Sequence, residues 1–327
     1  MASIREIAEA IRSFPGVTRK NAIGGIVSRF PTEGFPQVVA AEGEDAAALD
    51  LGDRYLLLAT DGIMQSLVET DPYSAGYFAV LVNVNDIAAM GGRPVGMVDV
   101  MSVLRPGTAS EIIRGMGDGI RKFGVPVVGG HTHPDCLYDA VDIAIAGTVA
   151  KDALLRSSTA APGDDIVFVM DTDGYFPENL PYAFVTTVSK PDELVRAQME
   201  AAAVVGERHL AHACKDMSNP GSIGTLGMML ETSCAGGLVD VTRIPMPDGV
   251  DPVRWHLAYQ GCGFVFSCPP ECSAEILLLF SEVGCDGEVV GSVDSTRVLR
   301  ITDGKDTEVL FDFNRDMITG CRVGRSA

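Results

Sequence analysis

The chain lacks the short sequences that identify the commonest nucleotide sites and serine hydrolases. No G-x-x-x-x-G-K-[ST] run occurs among its 327 residues, which excludes a P-loop. Neither G-x-S-x-G nor a helix-opening G-x-G-x-x-G is present, so nothing indicates a nucleophile elbow or a dinucleotide-binding fingerprint. If the protein uses ATP, it must bind the phosphates by another route.

Cysteine pairs and long apolar runs are also absent. The eight cysteines include no C-x-x-C pair and match neither a zinc ribbon nor a disulfide framework, so we expect free thiols in a reducing cytosol. No stretch approaches the roughly 18 apolar residues of a membrane span. The N-terminus carries a helix-capping pattern at Ser3 and Glu6 instead of the apolar segment of a signal peptide. We therefore expect a cytoplasmic protein without membrane contact.

Positive charge is scarce, because 25 lysines and arginines stand against 44 acidic residues and leave a net charge of −19. Such a field repels nucleic acid, and no basic stripe offsets it. It also repels ATP, so a phosphate site here would need a metal ion. A general adaptation to salt accounts for most of this charge by itself.

Few aromatic residues (6%) and 36 glycines are typical of a mixed α/β protein packed through small residues, and the length favours two domains. A composition break at 155–164 divides the chain into domains 1–155 and 156–327, and 24–43 reads as a loop. Hydrophobic periodicity predicts helices at 3–14, 74–90, 109–123, 191–211, 223–233 and 273–283. Strands are predicted at 46–49, 55–59, 95–103, 125–128, 141–149, 166–170, 237–240, 262–267, 288–293 and 297–301.

Four acidic motifs stand out against this background. They are G-E-D-A-A at 43–47, T-D-G at 60–62, N-D-I-A-A-M-G at 85–91 and K-D-M-S at 215–218. Their carboxylates lie beside small residues that leave room for a ligand, and carboxylates without histidine or thiolate suit Mg²⁺. A lone aspartate at the end of an element is more often a turn former, so a structural role stays open for each.

A glycine pair follows the predicted strand at 125–128. Gly129 and Gly130 would bring backbone N–H groups close to an anion, and Thr132 adds a hydroxyl donor, although a plain turn explains the pattern equally well. His131-x-His133 with Asp135 allows a different interpretation, a metal-dependent hydrolase. That would need further histidines, and His209, His212 and His256 have no suitable carboxylate motif beside them.

Lys20 lies between the first helix and the glycine-rich segment. A lysine there could reach over a phosphate and neutralise charge during transfer. The alternative is an exposed, solvated charge.

These motifs together resemble the PurM-like (aminoimidazole ribonucleotide synthetase-related) superfamily across nearly the whole chain. Its G-D-D-A-A signature is similar to residues 43–47, and the run at 85–91 is a specific match. G-G-H-T at 129–132 resembles the version in selenophosphate synthetase; thiamine-monophosphate kinase and the hydrogenase maturation factor HypE are further relatives. The opening at 14–24 and the D-T-D-G run at 171–174 resemble the related group called methanogenesis marker protein 2.

The resemblance implies an α/β (α+β) subunit of two domains, whose N-terminal halves pair into a dimeric barrel. ATP would lie in a cleft near that interface. The residues that match family Mg²⁺ ligands are Asp45, Asp61, Asp86 and Asp216. Those implied to contact the nucleotide are Thr60, Gly62, Asn85, Gly129, Gly130 and Thr132, with Lys20 and His131 as catalytic candidates.

Three departures from the family pattern concern the reacting groups. Selenophosphate synthetases carry a thiol or selenol shortly before the lysine, whereas residues 17–19 here are Val-Thr-Arg. HypE ends in a reactive cysteine in a Pro-Arg context that Cys321 lacks, and the glycine-rich turn expected after residue 170 is replaced by D-T-D-G-Y-F-P. We therefore expect a different acceptor pocket.

The resemblance thus implies a homodimeric enzyme that uses Mg²⁺ and ATP to phosphorylate a small acceptor or a modified protein group. The alternative is a regulatory or assembly protein of the same fold that binds nucleotide without catalysis, and the histidine-metal hydrolase comes third.

Overall fold

Two β-sheets organise the chain, and the helices pack between and around them. The computed structural model describes residues 2–32, 34–259 and 261–321. The helices are α1 Ile4–Ser13, α2 Pro15–Thr18, α3 Ile23–Val27, α4 Gln65–Thr70, α5 Pro72–Ala89, α6 Pro106–Phe123, α7 Asp192–Glu207, α8 Gly221–Thr232, α9 Pro252–His256 and α10 Ser273–Ser281, with 3-10 turns at Arg19–Ala22 and Val241–Arg243. The strands are β1 Val38–Ala40, β2 Ala47–Asp50, β3 Tyr55–Gly62, β4 Arg93–Ser102, β5 Val127–His133, β6 Ala140–Val149, β7 Asp165–Met170, β8 Ala213–Asp216, β9 Gly236–Asp240, β10 Gly263–Cys268, β11 Asp286–Asp294, β12 Val298–Thr302 and β13 Thr307–Asp312.

The N-terminal sheet has six strands in the order β1-β2-β3-β6-β4-β5. All its pairings are antiparallel except β4 with β5, which the helix α6 connects. Inward side chains such as Leu57, Met97 and Ile143 join α5 and α6 in one hydrophobic core. On the opposite side, the alternation of the strands exposes Val98 and Val100, so this sheet is covered on one face.

The C-terminal sheet has seven strands in the order β13-β12-β9-β11-β7-β10-β8. Its central strands are buried on both faces. Val167 and Val169 of β7 point into the core shared with the first domain, while Ile166, Phe168 and Met170 point into a second core. Continuous burial of this kind requires layers on both sides of the sheet.

The start of the chain packs against the end of the C-terminal sheet. Helix α1 has the predicted capping box, in which the Ser3 hydroxyl accepts from the Glu6 N–H and the Glu6 carboxylate accepts from the Ser3 N–H. Its apolar face joins the second core with Phe311 and Phe313 of the last strand and the following turn. The division near residue 155 stays a prediction, but the first helix lies in a core of the second half.

The predicted two-domain α/β architecture is confirmed, and the long helices and inner strands lie close to their expected positions. The prediction of a loop over 24–43 is wrong, because α3 extends to Val27 and β1 covers Val38–Ala40. Helix α7 also ends earlier than expected, at Glu207, and His209 adopts a left-handed conformation with φ 54°. These short elements and ends depend on contacts with distant residues, such as the bond from the Gly24 N–H to the Thr319 carbonyl at 2.7 Å.

Across residues 2–32, 34–259 and 261–321, every helix is too short or too polar to cross a bilayer.

An acidic cleft between the two sheets

A cavity of about 560 Å³ opens between the two domains. We call it the cleft. Arg19 and Lys20 from the N-terminal segment line one side, and Asp61 at the end of β3 lines another. Lys215 and Asp216 at the end of β8 bring the second domain to the same space. The predicted metal ligands therefore meet although they come from both halves of the chain.

Asp45, Asp86 and Asp216 form a carboxylate group with one oxygen from each lying within 4.8 Å of the others. Asp45 lies two residues before the start of β2. Asp86 lies near the C-terminal end of α5, whose small residues allow close approach to the sheet. Asp61 lines the cleft beside this group but lies outside it.

Burial and mutual repulsion oppose ionisation of these carboxylates. Burial is the main cause that raises the pKa of Asp216 to about 8, followed by the charge of Asp45. The pKa of Asp86 is raised well above its usual value by burial and then by Asp216 and Asp61. Burial also raises the pKa of Asp61, although Lys20 opposes this shift. A cation bound among these groups would favour their ionised forms and so offset both burial and mutual repulsion.

The carboxylate group fits a hard divalent cation. It offers oxygen ligands only, and the Oδ2 atom of Asp45 is buried without a hydrogen-bond partner among the described residues. Uncompensated buried oxygens of this kind are costly unless a cation or donor reaches them. Asp45, Asp86 and Asp216 would hold Mg²⁺, with Asp61 beside them.

Lys215 forms a buried ion pair with Asp45 that the sequence analysis did not anticipate. Its side chain is only 7% exposed, so the ammonium is held inside the protein. The one available signal was its position directly before Asp216, in a strand end already selected for its carboxylate. The ammonium group of Lys215 neutralises the charge of Asp45, one of the four aspartates.

Lys20 reaches the cleft from the 3-10 turn that follows α2. Burial lowers the pKa of its ammonium, and Asp61 opposes that shift. The helix α3 that follows this turn is bonded to the C-terminal part of the chain, because the Gly24 N–H donates to the carbonyl of Thr319. The predicted catalytic lysine thus lines the same cleft as the carboxylates, where the charges of Asp61 and Asp216 act on its ammonium group.

Thr60, Gly62 and Asn85 also line the cleft. The Thr60 hydroxyl donates to the carbonyl of Ile143 at 3.0 Å, which fixes the end of β3. A side chain at Gly62 would meet the carboxylate of Asp142, which would have to move aside to make room. The Nδ2 of Asn85 donates to the Gly261 carbonyl at 3.3 Å, and its Oδ1 is buried without a partner among the described residues.

The G-G-H-T segment lies elsewhere. Gly129, Gly130, His131 and Thr132 occupy β5, the exposed edge strand of the N-terminal sheet, and none of them lines the cleft of a single chain. The His131 ring packs edge-on against His133, with centroids 4.6 Å apart. The structure therefore brings Lys20, Thr60, Gly62, Asn85 and the aspartates together and leaves this segment apart.

The hydrolase alternative finds no support in the described part of the chain. There, the carboxylate group of Asp45, Asp86 and Asp216 is the single cluster of three potential metal ligands. His131, His133 and Asp135 do not form a second one.

Two buried glutamates outside the predicted set hold the walls of the cleft. Glu44 accepts hydrogen bonds from the Ser157 N–H at 2.5 Å and the Ser158 hydroxyl at 2.6 Å, which ties the G-E-D-A-A motif to the segment between the domains. Glu231 of α8 accepts from the backbone N–H groups of 318, 319 and 320 at 3.1, 2.7 and 3.2 Å, and Thr319 lines the cleft. Their partners are too distant in sequence for a motif to reveal them.

Comparison with known proteins agrees with the motifs. The family model described as AIR synthase related protein, N-terminal domain, matches residues 43–150, and the model for the C-terminal domain matches residues 175–304. An uncharacterized protein of Methanocaldococcus jannaschii is 44% identical over 323 residues, which cover 98% of this chain and 100% of that protein. Selenide, water dikinase of Aeromonas hydrophila is 27% identical over 252 residues, covering 72% of this chain and 69% of the relative.

The fold is also similar to a solved structure. Thermotoga maritima PurL complexed with ADP superimposes with a TM-score of 0.77 and 20% identity, over 95% of this chain and 51% of the other. This chain thus spans about half the length of that protein. At this identity, the likeness supports the fold alone.

Proposed function

The chain belongs to the AIR synthase related protein family, and from this premise we propose that it is an Mg²⁺-dependent enzyme that uses ATP to phosphorylate a small acceptor or a modified protein group. The observation that carries the proposal is the carboxylate group of Asp45, Asp86 and Asp216, which lines the same cleft as Lys20. The name of one relative, selenide, water dikinase, indicates phosphate chemistry. One structural neighbour, PurL, was solved in complex with ADP.

The charges of the cleft support binding of a metal and a nucleotide together. Six carboxylates, those of the four aspartates with Glu42 and Glu44, line the cleft with three basic groups, those of Arg19, Lys20 and Lys215. These side chains leave three negative charges when all are ionised. Bound Mg²⁺ would neutralise two of these charges and draw phosphate oxygens to the carboxylates, which suits a reaction governed by positioning and charge.

Each remaining group has a role that follows from its position. Lys20 would contact the transferred phosphoryl group and neutralise the charge that develops on it. Lys215 would hold Asp45 in place, since that carboxylate is its ion-pair partner. Thr60 and Gly62 would shape the floor beside Asp61, and Asn85 would offer its unpartnered Oδ1 to the ligand.

Gly129, Gly130, His131 and Thr132 would reach a nucleotide only from a second copy of the chain. Exposed apolar side chains on the same sheet support such a homodimer. They belong to Leu58, Val95, Val98, Val100 and Val128. We call these residues the open face, and apolar patches of this kind commonly mark protein interfaces.

A second candidate is a nucleotide-binding regulatory or assembly protein without catalysis. The sequence favours it at one point, since residues 17–19 before Lys20 provide no thiol. Slow ATP hydrolysis in the absence of an acceptor separates the two, because a pure binder should show none.

Calorimetry with ATP, with and without Mg²⁺, tests the proposal. We expect binding that requires Mg²⁺ in the wild type, loss of that binding in Asp86→Asn, and unchanged binding in Asp152→Asn, whose side chain is exposed on a turn. Binding independent of Mg²⁺, or retained in Asp86→Asn, would refute the metal assignment.

A further inference from the structure

A second, smaller cavity of about 40 Å³ adjoins the cleft. We call it the inner chamber. Its walls are mainly apolar and come from the second domain; they are Met170, Phe184, Met217, Trp255, Ala258 and Tyr259. Met217 and Tyr259 also line the cleft, so the two spaces share a wall.

The chamber is built at the meeting point of the strands that deliver Asp216. Met170 ends β7, Gly263 begins β10, and these residues pair in the sheet. Asp216 pairs with Phe264, the next residue of β10. The carbonyl of Gly261, another lining residue, accepts the hydrogen bond from Asn85. A molecule in the cleft could therefore extend into the chamber beside the carboxylate group.

Ser222, in the first turn of α8, gives the chamber an unsatisfied polar group. Its side chain lines the space and is 4% exposed, and its hydroxyl has no hydrogen-bond partner among the described residues. A buried hydroxyl left in this state is costly. The hydroxyl is therefore available to a guest, as either donor or acceptor.

The charged group among the lining residues, Asp171, is already satisfied. The Asp171 carboxylate accepts from the Lys190 ammonium at 2.8 Å and the Gln198 amide at 2.9 Å, and its Oδ1 also accepts from the Asp173 N–H. A charged guest would thus find no free counter-charge in the chamber, and burying it would cost more than burying a neutral group.

The volume limits the guest further. At roughly 10–15 Å³ for each water-sized position, 40 Å³ accommodates about three heavy atoms. We propose that the inner chamber is a binding subsite for a small uncharged group with hydrogen-bonding capacity, of the carboxamide type, at the non-reacting end of the acceptor. The assignment of this group to the acceptor rests on the proposed function. The binding of such a group in the chamber does not depend on that function.

Trp255 provides a direct readout, because it is the one tryptophan in the chain and lines the chamber. Its indole Nε1 donates to the Pro245 carbonyl at 2.8 Å, so its N–H resonance should be a single, well-defined signal. We would titrate the ¹⁵N-labelled full chain with acetamide, acetate and acetamidinium, whose three-atom head groups share one shape and differ in charge. The expected result is a saturable shift with acetamide in the millimolar range and at least roughly tenfold weaker effects with the two ions.

Variants separate the chamber from general effects. Ser222→Ala should weaken acetamide binding about fivefold, the scale of one neutral hydrogen bond. Ala258→Leu should fill the space and abolish the shift. Ser110→Ala removes an exposed hydroxyl that donates to the Pro106 carbonyl on α6, and it should leave acetamide binding unchanged. Circular dichroism would verify that each variant is folded.

The outcomes for the chamber and for the proposed function are distinguishable. No saturable shift, equal binding of acetate and acetamide, or undiminished binding in Ser222→Ala would overturn the subsite. Acetamide binding that persists in Asp86→Asn supports the chamber whatever happens to ATP. If wild-type protein binds acetamide but not ATP with Mg²⁺, the subsite stands and the proposed function falls.

Discussion

The acidic cleft lies between the two sheets and the open face lies on the N-terminal sheet, and the two regions depart from ordinary burial in opposite ways. In the cleft, Lys215 and Asp216 are charged groups with 6% and 4% exposure. On the open face, Val98 and Val128 are apolar groups with 45% and 72% exposure. Each arrangement is unfavourable for an isolated chain, since buried charges require compensation and exposed apolar groups gain by leaving water. In our proposal, a cation and phosphates complete the cleft, and an apolar protein surface completes the open face.

The largest expected effect tests the cleft. Asp61→Asn should reduce ATP turnover about a hundredfold to a thousandfold, the range typical of removing one group that stabilises charge in a transition state. The substitution keeps shape and size, so the melting temperature should stay within a few degrees. Turnover would be measured as phosphate release with Mg²⁺, and retained activity would remove Asp61 from the site.

Introducing negative charge on the open face should weaken dimerisation. Val98→Asp combined with Val100→Asp should weaken dimerisation at least roughly a hundredfold, because the interface would bury unpaired carboxylates. Sedimentation analysis would measure the association state. The matched control is Val309→Asp, at a similarly exposed position on β13 of the other sheet, which should leave the dimer intact. A monomeric wild type would contradict the interpretation of this face.

Removing the ammonium group of Lys215 should strengthen metal binding in the cleft. Without its ammonium, Lys215→Met leaves Asp45 free, and we expect affinity for Mn²⁺ in the absence of nucleotide to rise about tenfold. Electron paramagnetic resonance of free Mn²⁺ gives this value directly. Lys151→Met removes the partly exposed pair with Asp50 and should change nothing. A lower affinity in Lys215→Met would mean that the lysine supports the metal site.

The smallest expected effect concerns pH. Because the folded-state pKa of Asp216 lies near 8, above its ordinary value near 4, its contribution to stability is fully present below about pH 4 and is lost as the pH rises through about 8. Asp216→Asn cannot ionise, so without metal its Tm relative to wild type should rise by about 3 °C between pH 5 and pH 8. Mg²⁺ should reverse this difference at pH 8. A constant difference at all pH values would show that Asp216 does not titrate in this range.

Sequence patterns predicted the cleft better than its surroundings. Asp45, Asp61, Asp86 and Asp216 were identifiable because small neighbours mark each carboxylate locally. The ion pair of Lys215 with Asp45 was not predictable, since these residues lie 170 positions apart and only the fold brings them together. The bonds of Glu44 and Glu231 were missed for the same reason.

The position of residues 129–132 in the sheet was not predictable from their local sequence. Their pattern is compatible with a phosphate turn, but local sequence does not determine which edge of a sheet a strand occupies. In the structure they extend β5 at the edge beside β4, and whether they contact a nucleotide stays a prediction that depends on a second copy.

The Glu231 contacts have a consequence for the order in which the protein matures. Residues 318–320 are held by Glu231, and the carbonyl of Thr319 in turn holds Gly24, near the beginning of the chain. Contacts across such sequence separations form late, after local helices and hairpins. The wall that carries Lys20 is therefore completed only when residues 318–320 pack against Glu231, after the local elements of both sheets have formed.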